Sequence, residues 1–453
     1  MRHSFLITAL TFVTALSAVA EWPMYRANVR RSGVTTESLR FPLSSAWEHN
    51  APAPEQAWTG PAKWDAYSGN SGLQSMRNFD PCYYVTGRNN LVFYGSSADN
   101  GIHCMDASNG KEKWVFFTDS AVRQPPTLYQ DLAIAGSDDG YVYAINIKDG
   151  TLAWKLLAAV KDHRIPSNGK LISLWPVRTG VTVLGDKAYF AASLTPWEST
   201  VLWCVDPSTG KVGAAGTWRK ELKGVTLQGA CLAGQGKLFV PQGRSAPLVY
   251  NLTDGKPLGN VGKAGGVFCL LDESGRLIAG PQNQRSKDDQ IRVLDPATNQ
   301  HLITFGGATR VVIAGDFACV QNGQKLRCFN YRKFNEIKAQ QVGLNAKLKP
   351  LQKQLAELKK QAAEEKTEEK EAAVKAVEAQ ITALNAESSG QSKALASCEK
   401  WLIDFSTPHD LIVAGNTLIA GLDREVRALD LETGKVIWSA PIIGRAMGLA
   451  AIN

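Results

Sequence analysis

Five polar positions, Arg123, Arg178 or Thr179, Gln228, Arg310 and His409, recur at roughly one place, just ahead of a short apolar stretch in successive copies of an internal repeat. In a circular repeat such positions converge on one opening, where several cations favour an anionic ligand or an acidic partner peptide. The competing expectation is that each arginine bonds strand-end carbonyls of the neighbouring repeat. Covalent chemistry has less to stand on. There is no Gly-x-Ser-x-Gly elbow, His-Glu-x-x-His pair or phosphate loop. Asp162-His163 is the only adjacent acid and imidazole on a long loop, and chance accounts for it. No catalytic residue and no metal ligand set is expected.

The elements that must hold these residues come from the repeat. Cys104-Met105-Asp106 through Trp114, Ala144-Ile145-Asn146 through Trp154 and Ala428-Leu429-Asp430 through Trp438 share one pattern, with weaker copies at Asp206, Asn251, Asp295 and Asn330. Asp or Asn opens a turn by bonding its own backbone, and Gly four residues later takes a left-handed conformation. Ahead of the second copy, Leu132–Gly136, Ser137-Asp138-Asp139-Gly140 and Tyr141–Ile145 read as strand, tight hairpin and strand. A base period of about 40 residues is one four-stranded propeller blade. The closing tryptophans are expected to pack between blades. Cys104, Cys204 and Cys328 sit two residues ahead of the Asp or Asn, a place suited to small buried thiols, while Cys319 and Cys328 could face each other across Gln321–Gln324.

With this repeat and the stretch Trp22-Pro23-Met24-Tyr25-Arg26, followed by Arg31-Ser32-Gly33, the chain resembles the pyrroloquinoline-quinone-like propeller family, most of all its exported outer-membrane-assembly (BamB) type. The resemblance covers roughly 22–335 and 400–453 and implies an all-β propeller of seven to eight four-stranded blades. Its quinone-dependent dehydrogenases use a calcium ion held by carboxylate and amide groups, a basic Asp, a stacking Trp and a ring of adjacent cysteines. Those parts are not recognisable here, so no cofactor is expected, with pyrroloquinoline quinone and calcium as the alternative. Leu43–Glu48 resembles an isolated outer strand and Gly448–Asn453 a first inner strand cut short. Seven near-complete blades plus a split eighth lacking its middle strands are therefore expected, as in a truncated chain, with a shortened seven-bladed ring as the alternative.

Between the sixth and seventh copies, residues 336–398 turn to Lys, Glu, Ala, Gln and Leu. Leu344, Leu348, Leu351, Leu355, Leu358 and Ala362 step by fours and threes, as do Val374, Val377, Ile381 and Leu384, predicting an antiparallel coiled-coil hairpin with its tip near Glu365–Glu369. Pro350 is expected to kink the first arm or mark its start. Residues 1–20 read as a signal peptide ending in Ala18-Val19-Ala20, with no lipobox cysteine, leaving propeller segments at 21–335 and 399–453.

The 453 residues are 44% hydrophobic and carry a net charge of +8 without a block of like charges, which argues against nucleic acid as a partner. No further stretch is long enough to span a membrane. The expectation is an exported, non-catalytic propeller, periplasmic or extracellular, that binds a protein or envelope component through its face and helical hairpin. The alternatives are a quinone-dependent oxidoreductase and a propeller binding polysaccharide or a small anion.

Overall fold

The structure, a computed structural model, describes residues 21–55, 57, 84–243, 245–262, 264–281 and 290–452. The expected signal peptide lies outside them. Seven four-stranded antiparallel meanders follow one another along the chain: blade 1 (86–117), blade 2 (127–157), blade 3 (182–222), blade 4 (232–260), blade 5 (264–306), blade 6 (308–330 with 399–404) and blade 7 (410–445). The first strand of each is innermost.

One local device joins the blades. At the repeat's turn Gly110 N–H bonds the Asp106 carbonyl at 2.8 Å and Gly210 N–H bonds that of Asp206 at 2.8 Å. These glycines hold φ near +69° and +67°. The indole of the preceding blade stacks on the same glycine: a Cβ on Gly210 would lie 2.5 Å from the Trp154 ring, and one on Gly434 2.6 Å from that of Trp401. Each indole also donates to the carbonyl just after the Asp or Asn. Trp114 bonds Ile147 at 2.8 Å, Trp154 bonds Pro207 at 3.0 Å, Trp218 bonds Leu252 at 3.1 Å and Trp401 bonds Leu431 at 3.0 Å. The tryptophans are thus latches between blades, as the sequence suggests. Apolar layers such as Ile134, Val142, Phe190 and Val201 fill the space inside them.

The ring closes at an eighth position that contains no sheet among the described residues. Trp438 donates to the Leu43 carbonyl at 3.0 Å, as though Leu43 belonged to a next blade, and Trp47 donates to Ala107 of blade 1 at 2.6 Å and stacks on Gly110. At the inner end, Ala451, Leu449 and Ile452 pack with Trp22, Ile412 and Ile419. Leu43–Trp47 and the final residues therefore do stand at the outer and inner edges of an eighth place.

Two helices interrupt blade 6. Helix α1 (Tyr331–Glu364) and helix α2 (Glu368–Ala396) form a hairpin, with Thr367 capping the second. Gln341 meets Ser392 at 3.5 Å and Lys359 meets Glu378 at 2.8 Å, which makes the arms antiparallel. The first helix begins at Tyr331, earlier than the composition change, because Asn330 caps it by accepting Lys333 N–H at 2.9 Å. It runs through Pro350, forfeiting one main-chain bond instead of starting there.

Cys319 and Cys328 stand directly opposite in register, as the turn between them predicts, yet both remain free thiols. Cys104, Cys204, Cys231 and Cys398 are also free and buried.

Candidate functional site

Strand direction alternates within each blade, so the starts of the inner strands, the second-to-third-strand hairpins and the connections between blades share one face, here called the mouth. The repeat turns lie on the other face. Helices α1 and α2 replace the turn of blade 6 and so rise from the face opposite the mouth, rather than from the rim.

Arg123 and Arg178 come together at the mouth on a residue that sequence reasoning assigned only to a turn. Asp138, in the hairpin of blade 2, is fully buried. Its Oδ2 accepts Arg123 Nε at 2.7 Å and Arg178 Nη2 at 2.9 Å, and its Oδ1 accepts Arg178 Nε at 2.9 Å. Burial opposes the Asp138 charge, but Arg178 and Arg123 outweigh it and hold the carboxyl below its ordinary range. The expected bonds from arginine to strand-end carbonyls are thus not the main anchors of this pair. They do describe Arg310, whose Nε donates to the His409 carbonyl in the next blade at 2.9 Å. His409 itself meets Asp423 at 2.9 Å. Gln228 is buried and held by its backbone, through Pro241 at 3.0 Å and Gly243 at 3.2 Å.

Gln124, next to Arg123, is 4% exposed and neither of its amide atoms has a hydrogen-bond partner. Its side chain faces Gly180. Beside this group Asp139 accepts Tyr143 O–H at 2.6 Å, and burial raises its carboxyl above the ordinary value. The long loop before blade 3 forms a small hairpin, Arg164–Ser173, bound to Asp138 through Ser173 N–H at 2.6 Å. Its Lys170 reaches the Ala98 carbonyl in blade 1 at 2.9 Å. The Asp162 carboxylate accepts from Tyr141 and Arg164, so its pairing with His163 in sequence leads to no dyad.

The floor of the mouth is the chain's own Trp22–Thr35 segment, whose role the sequence did not disclose. Trp22 pairs with Gly87 of blade 1 and Pro23 accepts Leu128 N–H of blade 2 at 2.7 Å. Val29 accepts from Ala233 of blade 4 at 3.0 Å, Arg30 from Leu271 of blade 5 at 2.9 Å, and Val34 lies parallel to Val413 of blade 7. Arg31, 1% exposed, bonds the Cys231 carbonyl at 2.9 Å, the Tyr25 carbonyl at 2.9 Å and Thr182 at 2.5 Å. No carboxylate bonds it among the described residues, and burial lowers its pKa to about 10. Arg26 is different. Burial opposes its charge, but Asp410, bonded to its Nη1, raises its pKa overall. Arg26, Ala27 and Arg31 all hold positive φ, a backbone cost that the bonds of this plug offset.

Among the described residues no group of three or more His, Cys, Asp or Glu could hold a metal ion. No helix there is long and apolar enough to cross a membrane.

Residues 56–217, reaching into blade 3, match the family described as outer membrane protein assembly factor BamB. A curated relative, tetrathionate hydrolase from Acidithiobacillus ferrooxidans, is 24% identical over 130 residues, 29% of this chain and 22% of that protein. The alignment therefore spans under a quarter of that relative's length. Among solved structures, the computationally designed Ika8 protein aligns at a TM-score of 0.50 and 11% identity over 82% of this chain and 90% of its own. A europium-containing methanol dehydrogenase aligns at 0.49 and 11% identity, over 94% and 86%.

Proposed function

We propose that this chain, a PQQ-like β-propeller by its repeat and its family match, is a non-catalytic binding scaffold of the cell envelope, exported by the segment at 1–20. Its helical hairpin is the docking arm for a protein partner. The carrying observation is the hairpin's relation to the ring. Its neck is closed by an Asn330 N–H to Cys398 carbonyl bond at 2.8 Å, and the buried side chains of α1 end at Leu348. The remaining turns of a helix of 34 residues, about 50 Å long, do nothing for the propeller core. Such an arm costs synthesis and solubility unless something binds it. The envelope assignment follows the family described as an outer membrane assembly factor.

A second reading, small-anion binding at the mouth, is favoured by Gln124. Its unpartnered amide follows Arg123, which with Arg178 converges on Asp138 at the mouth. The quinone-dependent oxidoreductase fits the residues less well. A calcium ion seeks oxygen donors, whereas among the described buried carboxylates of the mouth and floor Asp138 and Asp410 are already bonded to guanidinium groups and Asp139 accepts the Tyr143 hydroxyl.

The test joins Gln340 to Gln391 through a short glycine linker, at the point where these side chains meet at 3.5 Å. The shortened protein keeps Tyr331, Phe334 and Ile337 against the ring. Photo-crosslinking of envelope extracts from exposed α1 positions should give a defined partner, and the shortened chain should fail to capture it while melting as the full chain does. Stoichiometric uptake of pyrroloquinoline quinone with Ca²⁺ and dye-linked turnover would refute the scaffold reading.

A further inference from the structure

The junction between blades 5 and 6 lacks the latch that joins most other blades. In blade 1 the latch tryptophan lies opposite Cys104, two residues ahead of the repeat's Asp; in blade 5 the equivalent Val293 lies opposite Ile303. Blade 6 in turn has no glycine turn to receive an indole, because Asn330 opens helix α1 there. A missing indole and a missing turn leave space. That space is a cavity of about 360 Å³.

Its walls and rim differ in chemistry. Ile303, Phe305 and Phe334 give it an apolar, aromatic lining, and among the described residues its titratable lining residues are His301, Arg327 and Lys338, with no Asp or Glu. Arg327 Nε is buried without a hydrogen-bond partner, while its Nη2 meets Glu399 at 3.2 Å. Lys338 Nζ stands 5.8 Å from the Phe334 ring centre and donates to Gln341 at 3.1 Å.

We infer that this cavity is a binding site for a small amphipathic organic anion, a flat apolar body bearing one carboxylate. The aromatic walls take the body, and the partly exposed Lys338 ammonium takes the charge. Concave apolar sites with a few convergent polar groups are the usual form of small-ligand pockets. The site lies in the groove between the outer strands of blades 5 and 6, shares no lining residue with the Asp138 cluster of the mouth, and is independent of the docking role of the outer hairpin.

The probe is 2-naphthoate, titrated calorimetrically into the full chain, with 2-naphthalenemethanol as the uncharged control. The expected result is saturable one-to-one binding of the acid and weaker binding of the alcohol. Lys338→Glu should weaken the acid about fivefold or more, since it reverses one partly exposed charge, and leave the alcohol nearly unchanged. Ile303→Trp should fill the cavity and abolish both. If that variant misfolds by its thermal melt, Lys338→Glu decides alone. Absence of saturable binding, equal binding of acid and alcohol, an unaffected Lys338→Glu protein, or a folded Ile303→Trp protein that still binds would each overturn the inference.

Discussion

Replacing Asp138 by Asn removes one negative charge and almost no volume from a site that is 0% exposed. The carboxylate accepts three charge-assisted bonds, at 2.7, 2.9 and 2.9 Å, from two arginines that are themselves 8% and 5% exposed. Deleting one partner of a buried ion pair costs about 3–5 kcal/mol, because the charge left behind has no counter-ion. Here two guanidinium groups would be left, so the loss should fall in the upper part of that range. Asp138→Leu with Arg123→Met and Arg178→Met removes all three charges together and should recover most of the loss. The pH dependence has a definite sign. Because the folded Asp138 carboxyl titrates below its unfolded value, its contribution is complete above about pH 4 and is lost as pH falls through the folded value. Asp138→Asn should flatten that acid limb. Urea unfolding followed by tryptophan fluorescence near neutral pH and in an acid series measures both effects. A loss under about 1 kcal/mol near neutral pH would mean that water or rearranged carbonyls already solvate the arginines, and would refute this account of the mouth.

Other expectations concern the latches, the plug and the second reading of the mouth. Gly210→Ala should cost at least about 1–2 kcal/mol from its positive φ alone, and more because the added methyl meets the Trp154 ring, as the urea midpoint would report. Trp401→Ala should cost about 3–5 kcal/mol by emptying a packed junction, and Trp401→Phe should recover the packing but not the 3.0 Å bond to Leu431. Asp410→Asn should loosen the floor, since Asp410 accepts both Arg26 and the Leu449 N–H at 3.0 Å. Hydrogen exchange should then rise first in residues 22–35. If the mouth binds small anions, Gln124→Leu with Arg310→Gln should abolish sulfate protection of the melting temperature, and retained protection would dismiss that reading.

How much of this was legible in the sequence depended on how local each signal was. The repeat turn could be read because its chemistry spans four residues and recurs, and the helical seam because leucines step by fours and threes along one arm. Mouth positions follow from aligning those repeats, which puts Arg123, Arg178, Gln228, Arg310 and His409 ahead of or at the start of the inner strands. Their partners do not follow from it. Asp138 was hidden by its own turn motif, since Ser-Asp-Asp-Gly is fully accounted for as a hairpin. The plug was hidden by distance: Arg26 bonds the Leu411 carbonyl 385 residues away, and nothing periodic marks the segment. The early start of α1 was missed because Tyr331 serves the ring, through a 3.0 Å bond to Asp272, before the helix leaves it.

The plug also bears on what the ring can do. An inner channel lined by seven short strands could remain open, but here one segment bonds the inner strands of blades 1, 2, 4, 5 and 7 and reaches blade 3 through Arg31. These bonds tie neighbouring blades together and also link blades that are not neighbours, such as 2 and 5, so the segment acts as a hub. A ligand at the mouth therefore meets a floor that is fixed by the whole ring, and binding there need not pay to order it. The hairpin on the far face has the opposite character. It is tied at its neck to blades 5 and 6, and its outer turns are held only by each other. A strand of about six residues, roughly 20 Å, separates the two faces. The preorganised mouth suits a small ligand, whereas the projecting arm, with its reach and repeated surface, suits a macromolecule. Because the two surfaces are fixed by different contacts, loss of one leaves the other intact, and the two readings of this propeller can be tested apart.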